Sequence, residues 1–204
     1  MEAQGHRSTE TKENITFVNN GAKIDIQGFT NRLFIRSYQD EDYKACLSLY
    51  SDPVITRYFD HGEPRSRSEI DAHIQERGRF FFDKGEPFGL FSVFLRTDNQ
   101  FIGQADLMPT GNRGEVEIGW ILHKTWQNQG YCSEGTQCFL LPLIYKLKEK
   151  NYQSGEAVIN RVIATAHPEN GASQKIIQKL GFSMYKSSVR YGGRPRFWFE
   201  LPLS

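Results

Sequence analysis

A mixed α/β fold, with a mostly antiparallel central sheet, one parallel central pair and flanking helices, is what three features of this sequence predict. The first is a series of strand-like apolar segments, Phe88–Leu95, Phe101–Leu107 and the alternating Val116–Leu122, separated by the polar turns Thr97-Asp98-Asn99 and Gly111-Asn112-Arg113-Gly114. Strands joined by turns this short fold back on one another, so an antiparallel meander is expected. The second is the order strand, helix, strand across 116–166, where a long helical stretch separates Val116–Leu122 from the apolar Val158–Ala166. A crossover of that length lets two strands run parallel. The third is Asn19-Asn20-Gly21 between Ile15–Val18 and Ala22–Ile26, a strong local hairpin signal.

Taken in order, residues 1–13 hold one alanine and no larger apolar residue after Met1, and read as a disordered tail. A β-hairpin extension is expected over 14–29, as an added sheet edge, a dimer contact or decoration, and the main domain over 30–204. Arg32–Arg36 is the first main strand. Asp40 is placed to cap a helix reaching Tyr50, with Tyr43, Leu47 and Tyr50 on one face. A second helical region runs from Ser68 to Phe82, and the meander follows. A long helix is expected from Tyr131 to Lys150, with Lys146, Lys148 and Lys150 at the end where cations suit the dipole. Pro142 should kink or split it. Val158–Ala166 reads as one buried strand and Asn170–Leu180 as a helix closed by Gly181. Strands over Phe182–Arg190 and Arg196–Leu201 complete the chain.

The composition narrows the function. With 204 residues the chain suits one domain with an appended segment, and 25 basic against 24 acidic residues give a net charge of +1. That balance makes no electrostatic case for nucleic acid or an anionic membrane as partner. Three cysteines, Cys46, Cys132 and Cys138, have neither a metal spacing nor an even count, which favours a reducing, cytoplasmic setting. The N-terminal residues lack the apolar stretch of a leader, and the longest apolar run, Cys138–Tyr145, is too short to span a bilayer. His61, His73, His123 and His167 are scattered without ligand spacing, so no metal is expected.

Two segments carry the chemistry. Trp126-Gln127-Asn128-Gln129-Gly130-Tyr131-Cys132-Ser133-Glu134 takes the chain from a strand through a polar turn into a helix start. Unpaired N–H groups and the helix dipole suit a phosphate or pyrophosphate there. The segment has neither the dinucleotide Gly-x-Gly-x-x-Gly spacing nor the Gly-Lys-Ser/Thr of a triphosphate loop. A plain strand–helix connection eased by Gly130 is the alternative. In the second segment, His167-Pro168-Glu169-Asn170-Gly171-Ala172-Ser173, the residues Asn170 and Ser173 are spaced to face one cleft from a helix start. Asn170 can also serve as an N-cap, since the cap uses its oxygen and leaves the amide NH2 free.

Together these segments resemble the GNAT superfamily of acyl-CoA N-acetyltransferases, most closely the branch of ribosomal-protein N-terminal acetyltransferases and their small-amine relatives. The matching blocks are Asn31–Arg36, Phe101-Ile102-Gly103, Glu117-Ile118-Gly119-Trp120, Gln127-x-x-Gly130-x-Cys132, and Asn170-x-x-Ser173 leading into Lys179-Leu180-Gly181-Phe182. They fall in order across roughly residues 30 to 203. The resemblance implies the GNAT fold and acetyl-CoA as co-substrate, bound along Gln127, Asn128, Gln129, Gly130, Tyr131, Cys132 and Ser133. Main-chain amides of Gln129 to Ser133 would hold the pyrophosphate, and Ile121 and Leu122 would bond the pantetheine arm, with Asn170 on its other side. Cys132 stands where the family usually has Gly or Ala, and is small enough for close approach. The superfamily generally transfers directly, and no evident activating base adjoins Cys132 in sequence, which argues against a Cys132 nucleophile.

Acetyl transfer needs a neutral amine, whereas an α-amino group titrates near ~8 and a lysine near ~10.4. Glu117 is the first candidate base, acting through water, with Val116, Ile118 and Trp120 as desolvating neighbours; a solvent-facing strand residue is the other reading. Ser173 is the candidate partner for the leaving thiolate, or a second capping residue. Ile177 stands where many members carry a tyrosine acid. His123 follows the cofactor-bearing strand, and Asp106 is a spare carboxylate on the strand before it. The implied activity is acetyl-CoA-dependent transfer to a primary amine, on a protein N-terminus or a small molecule; an acyl-CoA-binding or sensing module without turnover is the alternative. A dinucleotide-binding domain is disfavoured by the missing glycines and by the meander. The acceptor's identity and a homodimer are left open.

Overall fold

The computed structural model describes residues 15–204; the tail expected over 1–13 lies outside them. β1 (Ile15–Asn20) and β2 (Lys23–Phe29) form a hairpin whose two-residue loop is Gly21-Ala22, one position later than the Asn-Gly step suggests. Gly21 takes the left-handed φ of +65° that this loop needs at its first position. The main strands are β3 (Leu33–Ser37), β4 (Gly89–Leu95), β5 (Phe101–Pro109) and β6 (Glu115–Leu122). After a short ribbon of β7 (Gln153–Ser154) and β8 (Ala157–Val158) come β9 (Arg161–Ala166), β10 (Ser183–Arg190) and β11 (Arg194–Pro202). Nine strands make one sheet in the order β1-β2-β3-β4-β5-β6-β9-β11-β10, so the hairpin extends one edge. Every neighbouring pair is antiparallel except β6 with β9, the strands joined by the crossover.

Successive strand residues point to opposite faces, and the two faces carry different helices. On one, Val116, Ile118 and Leu107 pack with Phe139, Leu143, Ile144 and Leu147. On the other, Leu90 and Ile121 pack with Cys46, Leu49, Tyr50 and Ile70. Among the described residues, no helix is long and apolar enough to cross a membrane.

Several elements depart from the sequence expectation. Asp40 opens a 3-10 turn, Asp40–Asp42, closed by a reciprocal box between Gln39 and Asp42. The helix proper, α1 (Tyr43–Tyr50), buries Cys46, Leu49 and Tyr50, while Tyr43 and Leu47 are half-buried. Asp42 was the decisive competitor: Arg36 on β3 binds its carboxylate at 2.8 Å and so fixes where the turn begins. A one-turn helix, α2 (Pro53–Thr56), is capped by Asp52 and was not anticipated. The region expected to be helical from Ser68 to Phe82 is α3 (Arg67–Arg77), capped by Ser66 and Glu69, with a separate 3-10 turn at Phe82–Lys84. The strand expected over Val158–Ala166 is two pieces. Asn160 interrupts it, because the N–H groups of Asn160 and Arg161 both turn to the Gly114 carbonyl.

The long helix is continuous but not regular. It runs as α4 (Tyr131–Gly135), a π turn over Thr136–Leu140, and α5 (Leu141–Glu149) with Pro142 in its first turn. Proline lacks an N–H and its ring crowds the carbonyl four residues back, and the wider π turn absorbs both. Gly135 lies beneath Trp120, whose indole N–H donates to the Thr136 hydroxyl at 2.8 Å. A Cβ on Gly135 would stand 2.2 Å from the Trp120 ring. Gly135→Ala should therefore destabilise the fold by about 1–3 kcal/mol, since overpacking outweighs the roughly 1 kcal/mol that alanine adds in a helix. A urea midpoint at or above wild type in that variant would show that the ring has room to move.

Candidate active site

The site begins where the parallel ladder stops. β6 and β9 pair only over Glu115↔Arg161, Val116↔Val162 and Glu117↔Ile163. Both strands continue, β6 to Leu122 and β9 to Ala166, without pairing further. Their facing edges open onto a cleft of about 430 Å³. Ile121 and Leu122 line it from β6, and Gln127, Asn128 and Cys132 from the turn that follows. Asn170 and Ser173 line the far wall, and Asp106 and Glu117 face the same space. The tertiary fold thus joins the two segments that the sequence singled out.

The turn is shaped to present main-chain donors. Asn128 and Gly130 have φ of +60° and +81°. The first bond of α4 runs from the Glu134 N–H to the Gly130 carbonyl, so the N–H groups of Tyr131, Cys132 and Ser133 have no acceptor within the helix. Gln127 reaches back to donate to the Leu122 carbonyl at 2.9 Å, and Gln129 to Thr125 at 2.7 Å, tying the turn to itself.

Arg32 holds this turn from outside, a role that sequence reasoning did not assign. Its Nε donates to Glu134 at 2.6 Å and its Nη1 to the Gln129 carbonyl at 3.0 Å, while the guanidinium lies 4.3 Å from the Tyr131 ring centre. Glu134 also accepts from the Arg32 main-chain N–H and the Thr30 hydroxyl. Burial alone would raise the Glu134 carboxyl, but these hydrogen bonds and the Arg32 charge outweigh it and hold it below its usual range. The guanidinium also reaches within 3.5 Å of where a Gly130 Cβ would sit, adding a cation to the unpaired N–H groups. That donor set fits a diphosphate.

On the opposite wall, α6 (Gly171–Lys179) is capped by Asn170, whose Oδ1 accepts from the Ser173 N–H at 3.1 Å. The Asn170 oxygen is therefore committed to the helix while the residue still lines the cleft. Ile177 packs against the main core and Ile176 faces the cleft, so neither supplies an acid.

The two carboxylates differ sharply in setting. Glu117 is gripped by Arg190 at 2.6 and 3.0 Å, with the Thr165 hydroxyl at 3.4 Å. Its expected desolvating neighbours cannot act as such: Val116, Ile118 and Trp120 alternate onto the other face of the sheet and join the main core. Asp106 sits opposite Gly119 in the ladder with Arg77 at 3.8 Å. Burial pushes its carboxyl up to about 6, with the Glu117 charge adding and Arg77, Arg190 and the Gly119 N–H opposing. Burial likewise pushes the Cys132 thiol up to about 12, which keeps it protonated at neutral pH.

Other residues noted in the sequence fall away from this centre. The His123 ring lies edge-on to Phe101, and the His167 ring stacks on Tyr58 with centroids 5.3 Å apart. Among the described residues, no group of three or more His, Cys, Asp or Glu is placed to hold a metal ion.

Comparison with known proteins follows the same line. Residues 32–183 match the model of the acetyltransferase (GNAT) domain. The chain is 30% identical over 176 residues to the uncharacterized N-acetyltransferase YnaD of Bacillus subtilis, across 84% of this chain and 91% of that protein. In three dimensions it resembles a GNAT-family acetyltransferase from Bacillus anthracis, with a TM-score of 0.67 and 23% identity over 86% of this chain and 98% of that one. It also resembles RimL, the ribosomal L7/L12 alpha-N-protein acetyltransferase, in complex with coenzyme A (TM-score 0.65, 16% identity, 85% of this chain and 96% of that one).

Proposed function

The chain belongs to the GNAT family and is an N-acetyltransferase, and on that premise we propose that it moves acetyl from acetyl-CoA directly to a primary amine in the cleft between β6 and β9. The observation that carries this is the parting of those strands past Glu117, which opens main-chain edges between the turn 127–133 and the Asn170 wall. Acetyl-CoA supplies a thioester-activated acetyl group. Its diphosphate is assigned to the N–H groups of Gln129 to Ser133, beside Arg32. Its pantetheine arm is assigned to Ile121 and Leu122 on one side and Asn170 on the other. Gln127 and Asn128 shape the turn, and Ser173 is assigned the proton-donating contact to the leaving sulfur. The protonated Cys132 thiol supports direct transfer over a route through an acyl-cysteine.

The acceptor is proposed to be a protein N-terminus or a small amine. Glu117 and Asp106 offer carboxylates to a cationic amine entering the cleft. RimL acts on a ribosomal-protein N-terminus, and that branch enters here as the acceptor class that the motifs suggest. Thiol release from acetyl-CoA tests both levels, using spermidine, an amino acid, an aminoglycoside and a peptide with a free serine N-terminus. Release above the amine-free rate with one class identifies the acceptor. Tight acetyl-CoA binding with no release for any of them would overturn the transfer reading.

A further inference from the structure

We propose that Asp106, rather than Glu117, takes the proton from the acceptor amine, an assignment that rests on the acetyltransferase reading above. The first observation is steric. Asp106 stands directly opposite Gly119 in the β5–β6 ladder, and a Cβ on Gly119 would lie 2.7 Å from Asp106 Oδ1. The absence of a side chain at 119 is what lets this carboxylate lie against β6 and receive the Gly119 N–H. Glycine at that position is spacing for a carboxylate, not relief for the backbone, because its φ is not in the left-handed region.

The second observation is availability. Both Glu117 oxygens are taken by Arg190, so accepting a proton there means breaking a charge-assisted, two-point contact. Asp106 has the Gly119 N–H and a guanidinium at 3.8 Å, which leaves lone pairs facing the cleft. The charged and titratable groups around it come from every side: Arg77 on α3, Tyr50 on α1, Glu117 on β6, and Arg190 and Tyr191 at the β10–β11 hairpin. Burial and the Glu117 charge favour the protonated form, and the two arginines oppose them. The balance leaves a base whose affinity for a proton lies near the working pH, where general-base catalysis is most effective. Glu117 is then a positioning residue that acts through its charge and through Arg190.

The proton account closes. The ammonium group gives one proton to Asp106, and the freed nitrogen lone pair forms the N–C bond to the acetyl carbon. The C–S bond breaks with its electron pair leaving on sulfur, which takes the Ser173 hydroxyl proton while the second nitrogen-bound proton replaces it on Ser173, and Asp106 releases its proton to water.

Three readouts on wild type, Asp106→Asn and Glu117→Gln test the assignment. In wild-type protein carrying 13C-carboxyl aspartate, the resonance missing from Asp106→Asn should titrate near 6. In Glu117→Gln its midpoint should fall, since a neighbouring negative charge is gone and Arg190 is freed. Calorimetry should give unchanged acetyl-CoA affinity in both variants. With the amine that releases thiol, kcat/KM of wild type should fall below about pH 6, as protonation removes the base. Asp106→Asn should lose that acid limb together with about 10²–10³-fold in kcat, whereas Glu117→Gln should keep the limb at lower pH. An Asp106 resonance titrating near 4, or an acid limb that survives Asp106→Asn and vanishes in Glu117→Gln, overturns the assignment but leaves the acetyltransferase reading intact. No thiol release with any amine would remove that reading and the base assignment with it.

Discussion

Gly130→Glu is expected to weaken acetyl-CoA binding by about 10²–10³-fold. Gly130 precedes α4 with φ +81°, a conformation that costs a side-chain-bearing residue about 1–2 kcal/mol. Space is not the main obstacle, because a Cβ there meets only the Arg32 guanidinium, at 3.5 Å. Charge decides the outcome. A carboxylate at this point competes for Arg32 and faces the diphosphate, and two like charges ~4 Å apart near a protein surface repel by about 4 kcal/mol. Gly130→Ala separates the terms, since its backbone strain burdens free and ligand-bound protein alike and it brings no charge, so affinity should fall by less than about tenfold. Calorimetric titration with acetyl-CoA makes the comparison. Wild-type affinity in Gly130→Glu would remove the turn 127–133 as the diphosphate site.

Phe139→Ala is expected to cost about 3–5 kcal/mol of stability, the range for a buried phenylalanine whose cavity cannot collapse. Phe139 is fully buried in the π turn and meets Phe91 edge-on with centroids 5.5 Å apart, and Phe91 in turn meets Phe82 at 5.4 Å. This row of rings ties the irregular middle of the long helix to β4 and the Phe82 turn, so little nearby is free to fill the void. The melting temperature should drop by roughly 6–20 °C for a chain of this size. Acetyl-CoA affinity of the folded fraction should change far less, because the turn is held separately by Arg32 and Glu134. A loss below about 1 kcal/mol would show that the helix repacks over the gap.

The frame of the fold was legible because local patterns specify it. Alternation along β6 turns Val116, Ile118 and Trp120 to one face, the apolar runs of β4 and β5 mark buried strands, and short turns leave little choice of neighbour. The Asn170 cap was equally local, since cap and first turn lie three residues apart. Boundaries were less legible where a distant group competed. Arg36 claimed Asp42 and moved the start of α1, and the Gly114 carbonyl claimed the chain at Asn160 and cut a strand in two.

In the candidate site, the sequence named the turn 127–133 and the Asn170–Ser173 pair, because spacing along one chain encodes them. Arg32 escaped notice since its partner Glu134 is 102 residues away, and no periodicity links them. The two carboxylates were named, but their settings escaped for a related reason. Val116, Ile118 and Trp120 adjoin Glu117 in sequence yet point away from it, and the groups that set its environment, Arg190 and Thr165, arrive from other strands.

By itself, then, the sequence determined a mixed sheet with one parallel crossover and the turn that presents unpaired N–H groups at a helix start, since hydrogen-bond geometry and side-chain alternation act within a few residues. Only the tertiary structure decided that the turn faces Asn170 across parted strands, that Arg32 steadies it, and that Arg190 grips both Glu117 oxygens while Asp106 faces the same cleft. Desolvation and charge pairing act through space, and the residues that exert them here lie on strands and helices far apart along the chain.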